Sequence, residues 1–237
     1  MIEEVFPNIF QVQVPLPESP LKAINAYIIK GKARDLMIDT GMNRPECREA
    51  MNMALDRLAM DPGRMDFFVT HAHADHFGLA AHLAADSSKV YLSQNDIKIV
   101  QTPDVRDRII DAAVVNGFPE EEIAPSLREV PAKQFQQQIP ARLVPLHEGD
   151  RLTVGEYDFQ CLETPGHSPG HLCLYESRTG LFFSGDHILE DISPTIIVWE
   201  EGQNALRQYL DSLQRVSGLE ISLVLPGHRR VFTDYRR

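Results

Sequence analysis

The stretch Thr70-His71-Ala72-His73-Ala74-Asp75-His76 gathers three imidazoles and a carboxylate into a few residues of chain. An apolar run, Phe67-Phe68-Val69, enters it, and a small-residue segment, Gly78-Leu79-Ala80-Ala81, leaves it. The first reads as a buried strand and the second as the opening of a helix, so the polar groups fall on a strand-to-helix loop. His71 and His73 are one residue apart and can point the same way from an extended loop. Asp75 and His76 are adjacent and can diverge, so one loop could serve two metal ions. Histidine is the commonest protein ligand for zinc-like ions, and a carboxylate adds a harder oxygen donor. Three further candidates follow apolar runs at Gly-marked turns. They are His167 in Thr164-Pro165-Gly166-His167-Ser168-Pro169-Gly170-His171, Asp186 in Phe183-Ser184-Gly185-Asp186-His187, and His228 in Leu225-Pro226-Gly227-His228. Together they point to a two-metal site built on strand ends.

The order H-x-H-x-D-H, then a later His, a later Asp and a final His, resembles the metallo-β-lactamase-fold superfamily, over residues 25–228. The resemblance implies that His71, His73 and His167 hold one metal, that Asp75, His76 and His228 hold the second, and that Asp186 bridges them. Asp39-Thr40-Gly41 is similar too. In the family that aspartate supports the metal loop without ligating; the other reading of Asp39 is a turn carboxylate that caps its own backbone. His171 and His187 stand beside ligands, either donating to a ligating carboxylate or to substrate, or as ordinary loop histidines. Two zinc ions are the expected cofactor, and the donor set also admits iron or manganese.

Two such ions ~3.5–4 Å apart share a water and bring its pKa toward ~7, which makes hydroxide the nucleophile. The three-histidine metal then polarises a carbonyl, the other steadies the leaving group, and Asp75 orients or relays the proton of the shared water. The reaction class is hydrolysis of an ester, thioester or lactone. The Thr-Pro-Gly-His-Ser-Pro-Gly-His run resembles the glyoxalase II-like (hydroxyacylglutathione hydrolase) branch, without the basic C-terminal segment that would hold glutathione. True β-lactamases of this fold usually carry Cys where Asp186 stands, which argues against antibiotic hydrolysis. The alternatives are a mononuclear-iron sulfur dioxygenase of the same fold, a phosphodiesterase or nuclease, and a metal-stabilised binding protein without catalysis.

Composition narrows the field. The net charge of −11 argues against a general nucleic-acid binder, yet two cations would make the pocket locally positive for a small anionic substrate. A small-molecule substrate is therefore expected, with no nucleic-acid or membrane partner. The three cysteines, Cys47, Cys161 and Cys173, lack metal-type spacing and read as buried free thiols of a reducing compartment. No signal peptide is visible and no stretch reaches the ~20 apolar residues of a membrane span, which reads as cytoplasmic. Many superfamily members carry further helices after the final histidine; this chain is either a compact member or part of a longer one.

Positioning these residues requires two sheets. Because the ligands run from His71 to His228, residues 1–237 read as one domain, an α+β four-layer αββα sandwich with the metals at one edge. Residues 5–16 read as one edge strand ended by Pro15 and Pro17, and 25–29 with 35–39 as a hairpin. Helices are expected over 46–60 and 79–85, with His82 on the second, and a strand over 89–92. Residues 94–145 read as a helical insertion, a lid over the site with Phe118 and Phe135 as apolar pocket contacts. Strands follow at 152–154, 159–162, 171–175 and 181–184. A helix over 204–216 shows Leu206, Tyr209, Leu210, Leu213 and Val216 on one face, and a strand over 221–225 delivers His228.

Overall fold

Short apolar runs, the central ones buried on both faces, build the first sheet. Its strands are β1 (Ile2–Phe6), β2 (Ile9–Pro15), β3 (Ala23–Ile29), β4 (Asp35–Ile38), β5 (Met65–Phe68), β6 (Val90–Ser93) and β7 (Leu143–Leu146). They lie side by side in chain order, antiparallel from β1 to β4 and parallel from β4 to β7. The second sheet has the order β12-β11-β10-β9-β8, from β8 (Arg151–Val154), β9 (Tyr157–Glu163), β10 (Leu172–Glu176), β11 (Leu181–Gly185) and β12 (Leu223–Pro226). Only β11 and β12 of that sheet are parallel. The computed structural model describes residues 1–102, 113–114, 117–119, 139–140, 142–196 and 202–235.

Three apolar clusters define four layers, as expected from the sequence. Ile9, Tyr27, Ile38 and Phe68 of the first sheet meet Phe159, Leu174, Phe183 and Leu225 of the second. Phe183 is the hub, its ring edge-on to Tyr27 (centroids 5.2 Å apart) and to Phe159 (5.5 Å). On the outer face of the first sheet, Met37, Phe67 and Val90 pack on Cys47, Met51 and Ala54 of α1 (Pro45–Arg57). On the outer face of the second, Cys173, Phe182 and Val224 pack on Val216. Each fully buried aliphatic or aromatic side chain contributes roughly 1.5–3 kcal/mol, so the frame holding the loops is well anchored.

Several expectations change. The single edge strand over 5–16 is a hairpin, β1 and β2, turning at Pro7-Asn8. Pro7 cannot donate to a ladder, and Asn8 takes the left-handed conformation (φ 59°) that asparagine tolerates. The helix expected over 79–85 is shorter, α3 (Ala80–Leu83), and a separate short helix, α2 (Ala74–Phe77), precedes it; between them Leu79 N–H donates to Gly41 O (2.9 Å). The ends of segment 94–145 belong to the frame. Helix α4 (Gln94–Gln101) puts Ile97 into the outer cluster, and Leu143 to Pro145 fall in β7, parallel to β6. Pro145 sits exposed on this outermost strand, where its missing N–H breaks no ladder. Phe118 is exposed, while Phe135 and most of the expected lid lie outside the described residues. Helix α5 (Ala205–Val216) is capped by Asn204, whose side chain accepts from Arg207 N–H. Its buried face is Ala205, Ser212 and Val216, with Tyr209 half-buried; Leu206 and Leu210 are exposed. Polar anchoring sets that rotation, since Ser212 Oγ donates to Pro165 O and Tyr209 OH to His187 O.

Candidate metal centre

The candidate residues all follow the C-terminal ends of strands: Asp39 after β4, His71 to His76 after β5, His167 after β9, Asp186 after β11 and His228 after β12. The seven expected ligands converge. His73 Nδ1 lies 2.9 Å from His71 Nε2 and 3.0 Å from His167 Nε2, and the last two are 3.2 Å apart. Beside this trio, Asp75 Oδ2 lies 3.4 Å from His228 Nε2 and 4.0 Å from His76 Nε2. Asp186 stands between the groups, Oδ1 at 3.4 Å from His76 Nε2 and Oδ2 at 3.5 Å from both His167 Nε2 and His228 Nε2.

Outer hydrogen bonds fix which nitrogen of each ring faces inward. His76 donates from Nδ1 to Asp39 Oδ2 (2.7 Å), His167 from Nδ1 to Thr195 O (2.7 Å), and His228 from Nδ1 to Ala23 O (3.0 Å). The Thr70 hydroxyl donates to the carboxylate of Asp39 (2.9 Å), so its oxygen is free to accept from His71 Nδ1 at 3.0 Å. These four rings thus turn Nε2 toward the centre, the arrangement that outer partners impose on metal-binding histidines, while His73 turns Nδ1 toward it. His76 Nε2, His228 Nε2 and Asp186 Oδ1 are buried with no hydrogen-bond partner among the described residues. Leaving such atoms unsatisfied costs ~1–3 kcal/mol each. A divalent cation in each group would satisfy them, and the nitrogen-oxygen donor set suits zinc, iron or manganese.

The electrostatics agree. Burial, reinforced by neighbouring imidazoles, pushes His71 well below the usual histidine range and His73 down to about 3, so both stay neutral. Burial alone would raise Asp75, but the nearby His76 and the contact with His228 hold it at about 2. Asp186 is held low in the same way by His76, His228 and His167. Burial opposes a charge on His76, yet Asp39, Asp186 and Asp75 raise it well above its ordinary value. The carboxylates thus draw positive charge inward, and among the described residues no Lys or Arg pairs with Asp75 or Asp186. The side chain of Asp75 is 23% exposed against 10% for Asp186, so it is the more accessible of the two.

The three supporting candidates fare differently. Asp39, at φ 56°, reaches away from its own turn and accepts from Thr70 N–H (2.8 Å), the Thr70 hydroxyl and His76. His171 does not donate to a carboxylate. Its Nε2 accepts from Asp186 N–H (3.1 Å) while Nδ1 meets Thr164 Oγ1 (2.8 Å), so it fixes the backbone of Asp186. His187 is buried edge-on to Tyr209 (5.4 Å), and neither ring nitrogen has a hydrogen-bond partner among the described residues. Sequence reading missed Asn25 and the hydroxyl of Tyr27. Asn25 Nδ2 donates to Pro226 O (3.0 Å) and Arg229 O (2.8 Å), and Tyr27 OH to Pro226 O (2.8 Å), fastening the His228 turn to β3. The available signal was an asparagine inside an otherwise apolar strand. Gly227 is required by space, since a Cβ there would lie 2.6 Å from Asp186 Oδ1 and 2.7 Å from His76 Cε1.

Comparison with known proteins points to one family. The chain is 27% identical to a human protein named acyl-coenzyme A thioesterase MBLAC2, over 95% of this chain and 79% of that one. It is 25% identical to the probable metallo-hydrolase YqjP of Bacillus subtilis, covering 96% and 73%. Among solved structures, a metallo-beta-lactamase family protein from Thermus thermophilus superposes with a TM-score of 0.85 at 26% identity, over 98% of this chain and 77% of that one. A sequence profile of the metallo-beta-lactamase superfamily matches residues 20–228. With the four-layer frame, the strand-end donors and this match over most of its length, the chain belongs to the metallo-beta-lactamase superfamily, a superfamily of metallo-hydrolases.

Proposed function

We propose that this protein is a binuclear zinc hydrolase that cleaves a small-molecule thioester, with carbonyl esters and lactones as the neighbouring substrate classes. One observation carries the reading: the Asp186 carboxylate is set between two donor groups, 3.4–3.5 Å from His76, His167 and His228, where it could serve an ion in each. His71, His73 and His167 would hold one ion and Asp75, His76 and His228 the other. Bound there, divalent cations supply Lewis acidity toward a carbonyl and make water acidic enough to react near neutral pH. The chain's own residues do the rest. Asp39 holds His76 directly and His71 through Thr70, keeping both rings in the tautomer that presents a lone pair. Asp75, the more accessible carboxylate, is placed to orient an attacking water and relay its proton. All three cysteines are buried and burial pushes each thiol up, so none offers a ready thiolate nucleophile.

Thioesters rank first because the human relative bears the name of an acyl-coenzyme A thioesterase. The test is metal analysis of the purified protein alongside a panel of thioesters, lactones and phosphodiesters. Two zinc ions per chain with thioester turnover, both lost in His73→Ala and Asp186→Ala, is the expected result. One iron per chain with oxygen consumption would make it a dioxygenase. Turnover of none of the panel by the metal-loaded protein would make it a binding protein.

A further inference from the structure

A buried carboxylate outside both donor groups ties the two histidine loops together. Asp96 lies in α4, directly after β6, where Ser93 caps the helix by accepting from Asp96 N–H at 3.0 Å. In a Ser-x-x-acid capping pair the acidic side chain would turn back to the cap. That of Asp96 does not: it is fully buried and points at the site loops. Its Oδ2 accepts from the N–H of Ala72, the residue between His71 and His73, at 2.7 Å. The same oxygen accepts from the hydroxyl of Ser168, the neighbour of His167, at 3.2 Å. Gly170 has no room for a side chain on this clasp, because a Cβ there would run into Asp96 and Ser93. Burial pushes the carboxyl up to about 6, so keeping this group in place is costly and calls for a reason.

His71 and His73 come from the first sheet and His167 from the second, so their separation depends on how the two loops are held. We propose that Asp96 is a positioning residue that sets the spacing of the His71, His73 and His167 nitrogens by bridging Ala72 N–H and Ser168 Oγ. The inference rests on reading those three histidines as one ion's ligands. It goes further in assigning the geometry of that ion, and not of its neighbour, to a residue that touches neither.

The experiment is a zinc titration of the metal-free full-length protein against a competing chelator, with thermal melts of the metal-free forms alongside. For Asp96→Ala, one of the two zinc equivalents should weaken by about 10–100-fold, the usual effect of losing an outer partner, while the other changes less than about 3-fold. Asp96→Asn, which keeps an oxygen for Ala72 N–H, should fall between Asp96→Ala and the native protein. Ser168→Ala, which removes one arm and keeps the carboxylate, should weaken the same equivalent by a smaller factor. Native affinity for both equivalents in Asp96→Ala and Ser168→Ala overturns the proposal, as does equal weakening of both equivalents with a lowered melting temperature. Native protein that takes up no zinc overturns the two-ion reading itself, and this one with it.

Discussion

Replacing Asp39 by Asn tests the logic of the centre with one atom. The carboxylate accepts from Thr70 N–H at 2.8 Å, from the Thr70 hydroxyl at 2.9 Å and from His76 Nδ1 at 2.7 Å, and asparagine is nearly the same shape. Asparagine also tolerates the φ of 56° at this position, so the backbone is preserved. Its amide oxygen can keep Thr70 N–H. The NH2 then occupies the place of Oδ2, facing the donor N–H of His76. Either that donor is left buried without an acceptor, at ~1–3 kcal/mol, or the ring changes tautomer and protonates the nitrogen that faces the centre. Both routes would weaken an ion held, as proposed, by Asp75, His76 and His228, by about 10–100-fold, equal to ~1.4–2.8 kcal/mol. His71, one hydroxyl further away, should lose less. Zinc titration of metal-free Asp39→Asn against a chelator should resolve one weakened and one nearly native equivalent. Native binding of both, within about 3-fold, would refute the claim that outer hydrogen bonds set the donor lone pairs.

Other perturbations have equally definite outcomes. Gly227→Ala puts a methyl 2.6 Å from Asp186 Oδ1 and 2.7 Å from His76 Cε1, forcing both aside; kcat/KM on the best thioester should drop on the order of 10²-fold. Chelation removes ligands that bind only the folded state. For each ion held at 100 times its Kd the loss is ~2.7 kcal/mol, so two ions together give ~5.4 kcal/mol, which calorimetry should show as a melting point lower by roughly 11–22 °C. Phe183→Ala empties the centre of the inter-sheet core, where the side chain is fully buried against Tyr27 and Phe159. Urea unfolding of the metal-free protein should then show a loss of ~3–5 kcal/mol, and a loss under 1 kcal/mol would mean that the two sheets repack around the gap.

The donor set was legible because its chemistry is local. His71, His73, Asp75 and His76 declare themselves by spacing, and Gly166, Gly185 and Gly227 mark the turns that carry the other three. The sandwich followed from the alternation of strands and ligand turns. What escaped depends on partners distant in sequence. Leu143-Val144-Pro145-Leu146 was hidden as a strand by its proline, tolerable only because β7 lies at an edge. Leu206 and Leu210 repeat at helical spacing, yet the face that α5 buries is chosen by Tyr209 and Ser212. Asp96 sits where a helix cap would place it, so nothing nearby hints at Ala72 or Ser168 as its partners. The direction of the His171 contact depends on where β11 leaves the N–H of Asp186.

Each donor group draws from both sheets: His71 and His73 join His167, and Asp75 and His76 join His228. An ion seated in either group is therefore a rivet through a seam. Any sliding of one half of the sandwich across the other pulls the rivet's two ends apart before it disturbs either ladder. Cation release should accordingly precede loss of sheet structure as the protein is heated or strained, which makes the bound metal a gauge of how tightly the halves are joined.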